Sequence, residues 1–284
     1  MNCRLTVLVE NTARKSGLVA EHGLAFWIDT GTHRVLFDTG QHHALAHNAS
    51  RLGIYLDTAD AIVLSHGHYD HTGGLHYAFN LARHARLFLH PQALISRFAG
   101  RDGSGREIGL ASITDQELRQ EEQRLVWTTQ PTEIVPGIFT TGEIPRRTDY
   151  EDTGGDFFLD INCRVADPIP DDQAIYIDTA SGVVVVLGCA HAGVINTLDY
   201  IHQITHRPIH AVFGGTHLLN ASKERLNKTI DALRAMDISI IAPAHCTGPR
   251  ATAALWTAFP EQIADCSVGT QWAFPMISAM GVQQ

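Results

Sequence analysis

Residues 65–74 read Ser-His-Gly-His-Tyr-Asp-His-Thr-Gly-Gly and directly follow the apolar run Ala61-Ile62-Val63-Leu64. Four potential metal donors, His66, His68, Asp70 and His71, crowd into six residues. Neither a strand, alternating its faces, nor a helix can aim all four at one point, so the segment has to be a loop at a strand end that converges them. Imidazole and carboxylate are ligand types for zinc, iron or manganese, and Gly67, Gly73 and Gly74 let the backbone turn closely around an ion. The chain must therefore fold so that other donors meet this loop.

Composition supports that requirement. The 284 residues include 17 histidines, more than the 11 phenylalanines, so groups able to ligate metal or move protons near neutral pH are abundant. A hydrophobic content of 44% is enough to fill a core, and the length fits one large domain over residues 1–284. The net charge of −9 argues against non-specific binding to a nucleic-acid backbone, though not against a local basic site. No apolar run approaches a membrane span, and the N-terminal stretch lacks the features of a secretory signal. Five cysteines (Cys3, Cys163, Cys189, Cys246 and Cys266) without framework spacing suit a reducing, cytoplasmic setting.

Strands are expected at 4–10, 25–30, 34–40, 61–67, 138–142, 174–179, 183–188, 211–215 and 239–245. Turns at 31–33 and 180–182 mark hairpins. Val194, Leu198 and Ile201 share one helical face after Gly193, and Leu226, Ile230 and Leu233 share another in a helix that Asn220 or Ser222 would cap. Two β-rich halves, each carrying helices, predict an α/β sandwich of sheets with helices outside. Residues 100–130, glycine-broken and then charged, read as a surface insertion or lid. Arg146 and Arg147, in a charged loop ending near Asp156, are candidate contacts for an anionic substrate.

The HxHxDH pattern at His66, His68, Asp70 and His71 resembles the signature of the metallo-β-lactamase superfamily. That resemblance implies a four-layer αβ/βα sandwich with a metal site at the edge of its two sheets. LFDTG at 36–40 resembles the family's early aspartate motif and implies that Asp38 orients a ligand. By the same resemblance His66, His68 and His191 would hold one divalent ion, and Asp70, His71 and His245 a second, with zinc the first expectation and iron or manganese next. The family's common hydrolases carry a histidine after a middle strand and a bridging aspartate after a later one. Here Glu143 and Cys189 stand at those places, with His191 two residues on. Cys189 is thus either a soft thiolate ligand or a small buried residue at a strand end. Glu143 is either a ligand or a salt-bridge partner of Arg146 or Arg147.

TGEIPR (141–146), GCAHAG (188–193), GGTHLL (214–219) and AHCTG (244–248) together resemble the 7,8-dihydropterin-6-methyl-4-(β-D-ribofuranosyl)aminobenzene-5′-phosphate synthase subfamily. This implies a metal-dependent transferase acting on a phosphorylated small molecule. A metal-dependent hydrolase of a phosphodiester, thioester or lactone is the alternative, and a metal- or redox-sensing protein using Cys189 and Cys246 is a third reading. Asp70 and His217 are the candidate catalytic residues: Asp70 to orient or deprotonate a nucleophile, and His217, in Gly214-Gly215-Thr216-His217, to contact substrate or donate a proton. The remaining histidines, His22 and His90 among them, are read as surface or packing residues.

Overall fold

The computed structural model describes residues 2–110 and 112–277; Met1, Ala111 and residues 278–284 lie outside the described residues. In chain order the strands and helices are β1 (Asn2–Val9), β2 (Ala25–Asp29), β3 (Arg34–Phe37), α1 (Ala44–Leu52), β4 (Ala61–Val63), α2 (Tyr69–Thr72), α3 (Leu75–Leu81), β5 (Arg86–Leu89), β6 (Phe98–Arg101), β7 (Ser104–Glu107), α4 (Asp115–Gln120) and β8 (Leu125–Trp127). The second half continues with β9 (Thr132–Val135), β10 (Ile138–Thr140), β11 (Phe157–Phe158), β12 (Ile175–Thr179), β13 (Gly182–Leu187), α5 (Val194–Thr205), β14 (Ile209–Gly215), α6 (Lys223–Ala235), β15 (Ile240–Ala244), α7 (Gly248–Ala258) and β16 (Gln271–Pro275).

Two large sheets result, one ordered β16-β1-β2-β3-β4-β5-β8 and the other β15-β14-β13-β12-β10-β9. Strand alternation explains why they stack. In β13 the run Val183–Val186 is buried on both faces: Val184 and Val186 meet Phe26, Phe37 and Phe213 between the sheets, while Val183 and Val185 pack with Leu198, Leu233 and Leu255 beneath α5, α6 and α7. On the far side Leu36, Ile62 and Leu87 pack under Leu45 and Phe79 of α1 and α3. Helix, sheet, sheet, helix is the expected four-layer order. Ser222, whose hydroxyl accepts from the Arg225 amide at 3.0 Å, is the residue that caps α6.

Within these sheets β3-β4-β5-β8 run parallel, as do β13-β14-β15. The loops leaving their C-terminal ends carry Asp38, the 65–71 segment, Cys189 with His191, His217 and His245. This is the edge of an α/β sheet at which ligand sites ordinarily form.

The 100–130 stretch divides. Its first part belongs to a third sheet, β11-β6-β7, while β8 closes the edge of the first large sheet beside β5. No helix of the described residues is long and apolar enough to cross a membrane, and none of the cysteines is in a disulfide.

Candidate metal centre

The 65–71 loop is held from below. Asp171 Oδ2 accepts the Gly67 amide at 2.8 Å, and its other oxygen lies 2.5 Å from Arg97 Nη2. Arg97 is wholly buried and also reaches Asp167 at 2.9 Å. A side chain at Gly67 would put its Cβ 2.3 Å from the Ala93 carbonyl, so the loop's closeness to its support requires glycine there. Asp38, His217 and His245 take positive φ of 57°, 46° and 49°, and this backbone strain gathers at the strand ends that form the site.

Four imidazoles are oriented by one device. Asp38 Oδ2 takes the His71 Nδ1 proton at 2.7 Å and the Ser65 hydroxyl proton at 2.7 Å. Ser65 Oγ then accepts from His66 Nδ1 at 2.8 Å. His191 Nδ1 donates to the Thr153 carbonyl at 2.7 Å, and His245 Nδ1 to Asn11 Oδ1 at 2.9 Å. With each Nδ1 engaged, each Nε2 faces inward. His66 Nε2 comes within 2.9 Å of His68 Nδ1, His71 Nε2 within 3.1 Å of Cys189 Sγ, and His245 Nε2 within 3.2 Å of Asp70 Oδ2.

These donors form two groups meeting at Cys189. His66, His191 and Cys189 have ligand atoms within 4.8 Å of one another, as do His71, His245 and Cys189. The His68 ring lies 4.9 Å from that of His191, and Asp70 Oδ2 lies 4.0 Å from His71 Nε2. All seven expected ligands are thus buried in one cluster. His68 Nε2 and His191 Nε2 are buried with no hydrogen-bond partner. Such orphaned nitrogens call for a further partner, and a cation is one that imidazole suits.

Electrostatics agree. Burial and the surrounding histidines pull His66 and His191 well below the ordinary imidazole value, and burial takes His68 down to about 3. These rings are therefore neutral, with free lone pairs. Burial would raise Asp70, but His71, His22 and His245 outweigh it and keep the carboxyl ionised. His71 is the exception: burial lowers it, yet the charges of Asp38 and Asp70 prevail and lift it to about 9. Burial pushes the Cys189 thiol up, so metal binding there would have to displace its proton. The neutral imidazoles of His66, His68 and His191 and the ionised Asp70 fit one or two divalent transition-metal ions, with His71 and Cys189 each giving up a proton on joining them.

His217 also joins the cluster, its ring 4.4 Å from His191 and one ring nitrogen near Cys189 and Cys246. Burial lowers it to about 4, and its Nδ1 has no partner. Glu143 lies elsewhere, half exposed and 3.0 Å from buried His90, and not bridged to Arg146 or Arg147. Those arginines bond protein acceptors: Arg146 the carbonyls of His191 and Pro168 at 2.7 and 2.6 Å, and exposed Arg147 the Gln203 side chain at 2.6 Å. The sequence reading missed His22, whose Nε2 is 3.1 Å from Asp70 Oδ2, and Glu10, which accepts the His245 amide at 2.8 Å. Both follow β1 in a segment without a motif.

A cavity of about 370 Å³ opens over the cluster. Asp70, Cys189, His191 and His245 lie at its floor, and Tyr69, Ile108, Phe157 and Leu219 contribute apolar walls.

Residues 19–245 match the family model of the metallo-beta-lactamase superfamily. The chain belongs to that superfamily. Among its relatives is the 7,8-dihydropterin-6-methyl-4-(β-D-ribofuranosyl)-aminobenzene-5′-phosphate synthase of Methanocaldococcus jannaschii, 32% identical over 276 residues and covering 92% of each chain. An uncharacterised protein of the same archaeon is 33% identical over 249 residues, 87% of this chain and 91% of that one. The crystal structure of Tm1679, called a metal-dependent hydrolase of the β-lactamase superfamily, superposes with a TM-score of 0.79 at 31% identity, covering 95% of this chain and 98% of the other. In this chain a cysteine, Cys189, stands where the two donor groups touch.

Proposed function

We propose that the protein is a metal-dependent enzyme acting on a phosphorylated or otherwise anionic small molecule, and specifically a dihydropterin transferase of the synthase type. The observation that carries this reading is the pair of donor groups meeting at Cys189, with the Nε2 atoms of His68 and His191 buried and unpartnered beneath an apolar-walled cavity. His66, His68 and His191 would hold one ion and Asp70, His71 and His245 the other, with Cys189 Sγ available to either; zinc suits this imidazole and thiolate set, and iron or manganese are the alternatives. Bound there, divalent ions supply Lewis acidity that neutralises the charge of a diphosphate or phosphoryl group.

The remaining work falls to side chains. Asp70, ionised and beside His22 and His245, would accept a proton from the attacking group. His217 is neutral, so it serves the leaving oxygen as a hydrogen-bond donor and not as a stored imidazolium. Tyr69, Phe157 and Leu219 exclude water and suit a planar ring.

The synthase relative, similar over nearly its whole length, favours transfer of a hydroxymethyl-dihydropterin from its diphosphate to an arylamine. The likeness to Tm1679 supports hydrolysis as the second reading. Neither reading calls for a nucleic-acid or membrane partner, and free cysteines accord with a cytoplasmic setting. The test is to incubate metal-replete protein with hydroxymethyl-dihydropterin diphosphate and an arylamine, following diphosphate and products by mass spectrometry. A carbon–nitrogen-linked product is expected. Diphosphate release without amine incorporation would favour the hydrolase, and neither outcome with this or a phosphodiester panel would refute the enzyme reading.

A further inference from the structure

The third sheet places a short row of side chains over the metal centre. Phe157 of β11 is paired with Ala99 of β6, and Ala99 with Arg106 of β7, so the three are cross-strand neighbours on one face. All three line the cavity. Phe157 stands at the histidine end, its ring 5.1 Å from His68 and 5.2 Å from His191. Arg106 stands at the other end, its guanidinium 5.3 Å from the centre of the Tyr69 ring. Ala99 leaves a gap between them. Two strand spacings separate the ends, about 10 Å.

Arg106 is the only arginine or lysine lining the cavity among the described residues, and its exposed guanidinium, stacked over Tyr69, has no acidic partner among them. The segment that carries it is tied to the metal loop, because the Tyr69 amide donates to the Ile108 carbonyl at 2.9 Å two residues further on. The arginines first expected to meet an anion, Arg146 and Arg147, bond protein acceptors and do not line this cavity. A guanidinium with a free fork, held at the rim of an apolar trough, matches a phosphate monoester by geometry and charge.

We infer that Arg106 recognises a phosphate group carried at the end of the substrate remote from the reacting centre, while the aromatic part of that molecule lies in the trough over Ala99 between Phe157 and Tyr69. The inference rests on the proposed enzyme reading and assigns to Arg106 the phosphate of such a substrate. Arg106 is a specificity residue and takes no part in bond making.

The test measures binding of phenyl phosphate and of phenol to the metal-loaded protein by titration calorimetry. Phenyl phosphate is expected to bind at least tenfold more weakly to Arg106→Ala than to the wild type, with phenol unchanged and much of the loss restored in Arg106→Lys. Ala99→Phe, filling the trough, is expected to weaken both probes while metal content stays unchanged. Phenyl phosphate affinity within twofold of wild type in Arg106→Ala would overturn the inference, whatever reaction the enzyme performs. In turnover, Arg106→Ala should raise KM for a phosphorylated arylamine and spare kcat. Arg106-dependent binding without any pterin transfer would overturn the proposed reaction and leave this inference standing. Transfer whose preference for the phosphorylated arylamine survives Arg106→Ala would do the reverse.

Discussion

His71 Nδ1 stands 2.7 Å from Asp38 Oδ2, and both side chains are wholly shielded from solvent. The same carboxylate takes the Ser65 hydroxyl proton, and Ser65 in turn takes that of His66. One buried aspartate thereby orients a histidine in each donor group. Both donor groups are thus ordered by a residue that belongs to neither.

Asp38→Asn should therefore weaken both positions together. Asp38 accepts through both oxygens, Oδ1 from the Ser65 amide and Oδ2 from the Ser65 hydroxyl and His71, whereas an amide of the same shape offers one accepting oxygen and turns a donor toward one of these donors. Loss of such an orienting group ordinarily lowers metal affinity by about 10- to 100-fold. Competition with a chromophoric chelator would measure the loss. Affinity equal to wild type would show that the imidazoles are oriented without Asp38.

Arg97→Met tests the support under the loop. Removing the guanidinium leaves Asp167 and Asp171 buried without their counter-charge, a change that costs about 3 to 5 kcal/mol. Urea denaturation should report that loss, and metal affinity should fall with it because Asp171 anchors Gly67.

The HxHxDH segment made the centre legible because its donors are local in sequence and their type names the chemistry. Strands of β-branched residues such as Val183–Val186 were equally legible. The hairpin of β6 and β7 was not: Gly100, Asp102, Gly103 and Gly105 read as a loop, and the pairing with Phe157 joins segments more than fifty residues apart. Arg97, Asp167 and Asp171 escaped for the same reason, since an ion pair across seventy residues leaves no periodic trace. His22 escaped because an isolated histidine looks the same whether or not the fold brings it to Asp70.

Asp172 makes stability depend on pH. Burial lifts its carboxyl from 3.8 to about 7, so the folded state favours the protonated form. This contribution is fully present below about pH 4 and disappears as pH rises through about 7. Asp172→Asn cannot ionise and can still accept the Ala192 amide, so its thermal melts should lose less stability than the wild type between those limits. Parallel pH profiles for the two proteins would contradict the assignment.

His217→Ala should retain its metal but lose turnover by about 100-fold, the scale of a positioned proton or hydrogen-bond donor. Metal analysis and steady-state kinetics on one preparation separate these effects. Loss of metal in step with activity would place His217 among the ligands, beside Cys189 and Cys246.

The most direct measurement is a crystal structure of protein from metal-replete medium, with anomalous scattering recorded across the zinc, iron and manganese edges. The account predicts a peak among His66, His68 and His191, a second among Asp70, His71 and His245 when both positions fill, and Cys189 Sγ within bonding distance of at least one. No anomalous peak at these residues would contradict it.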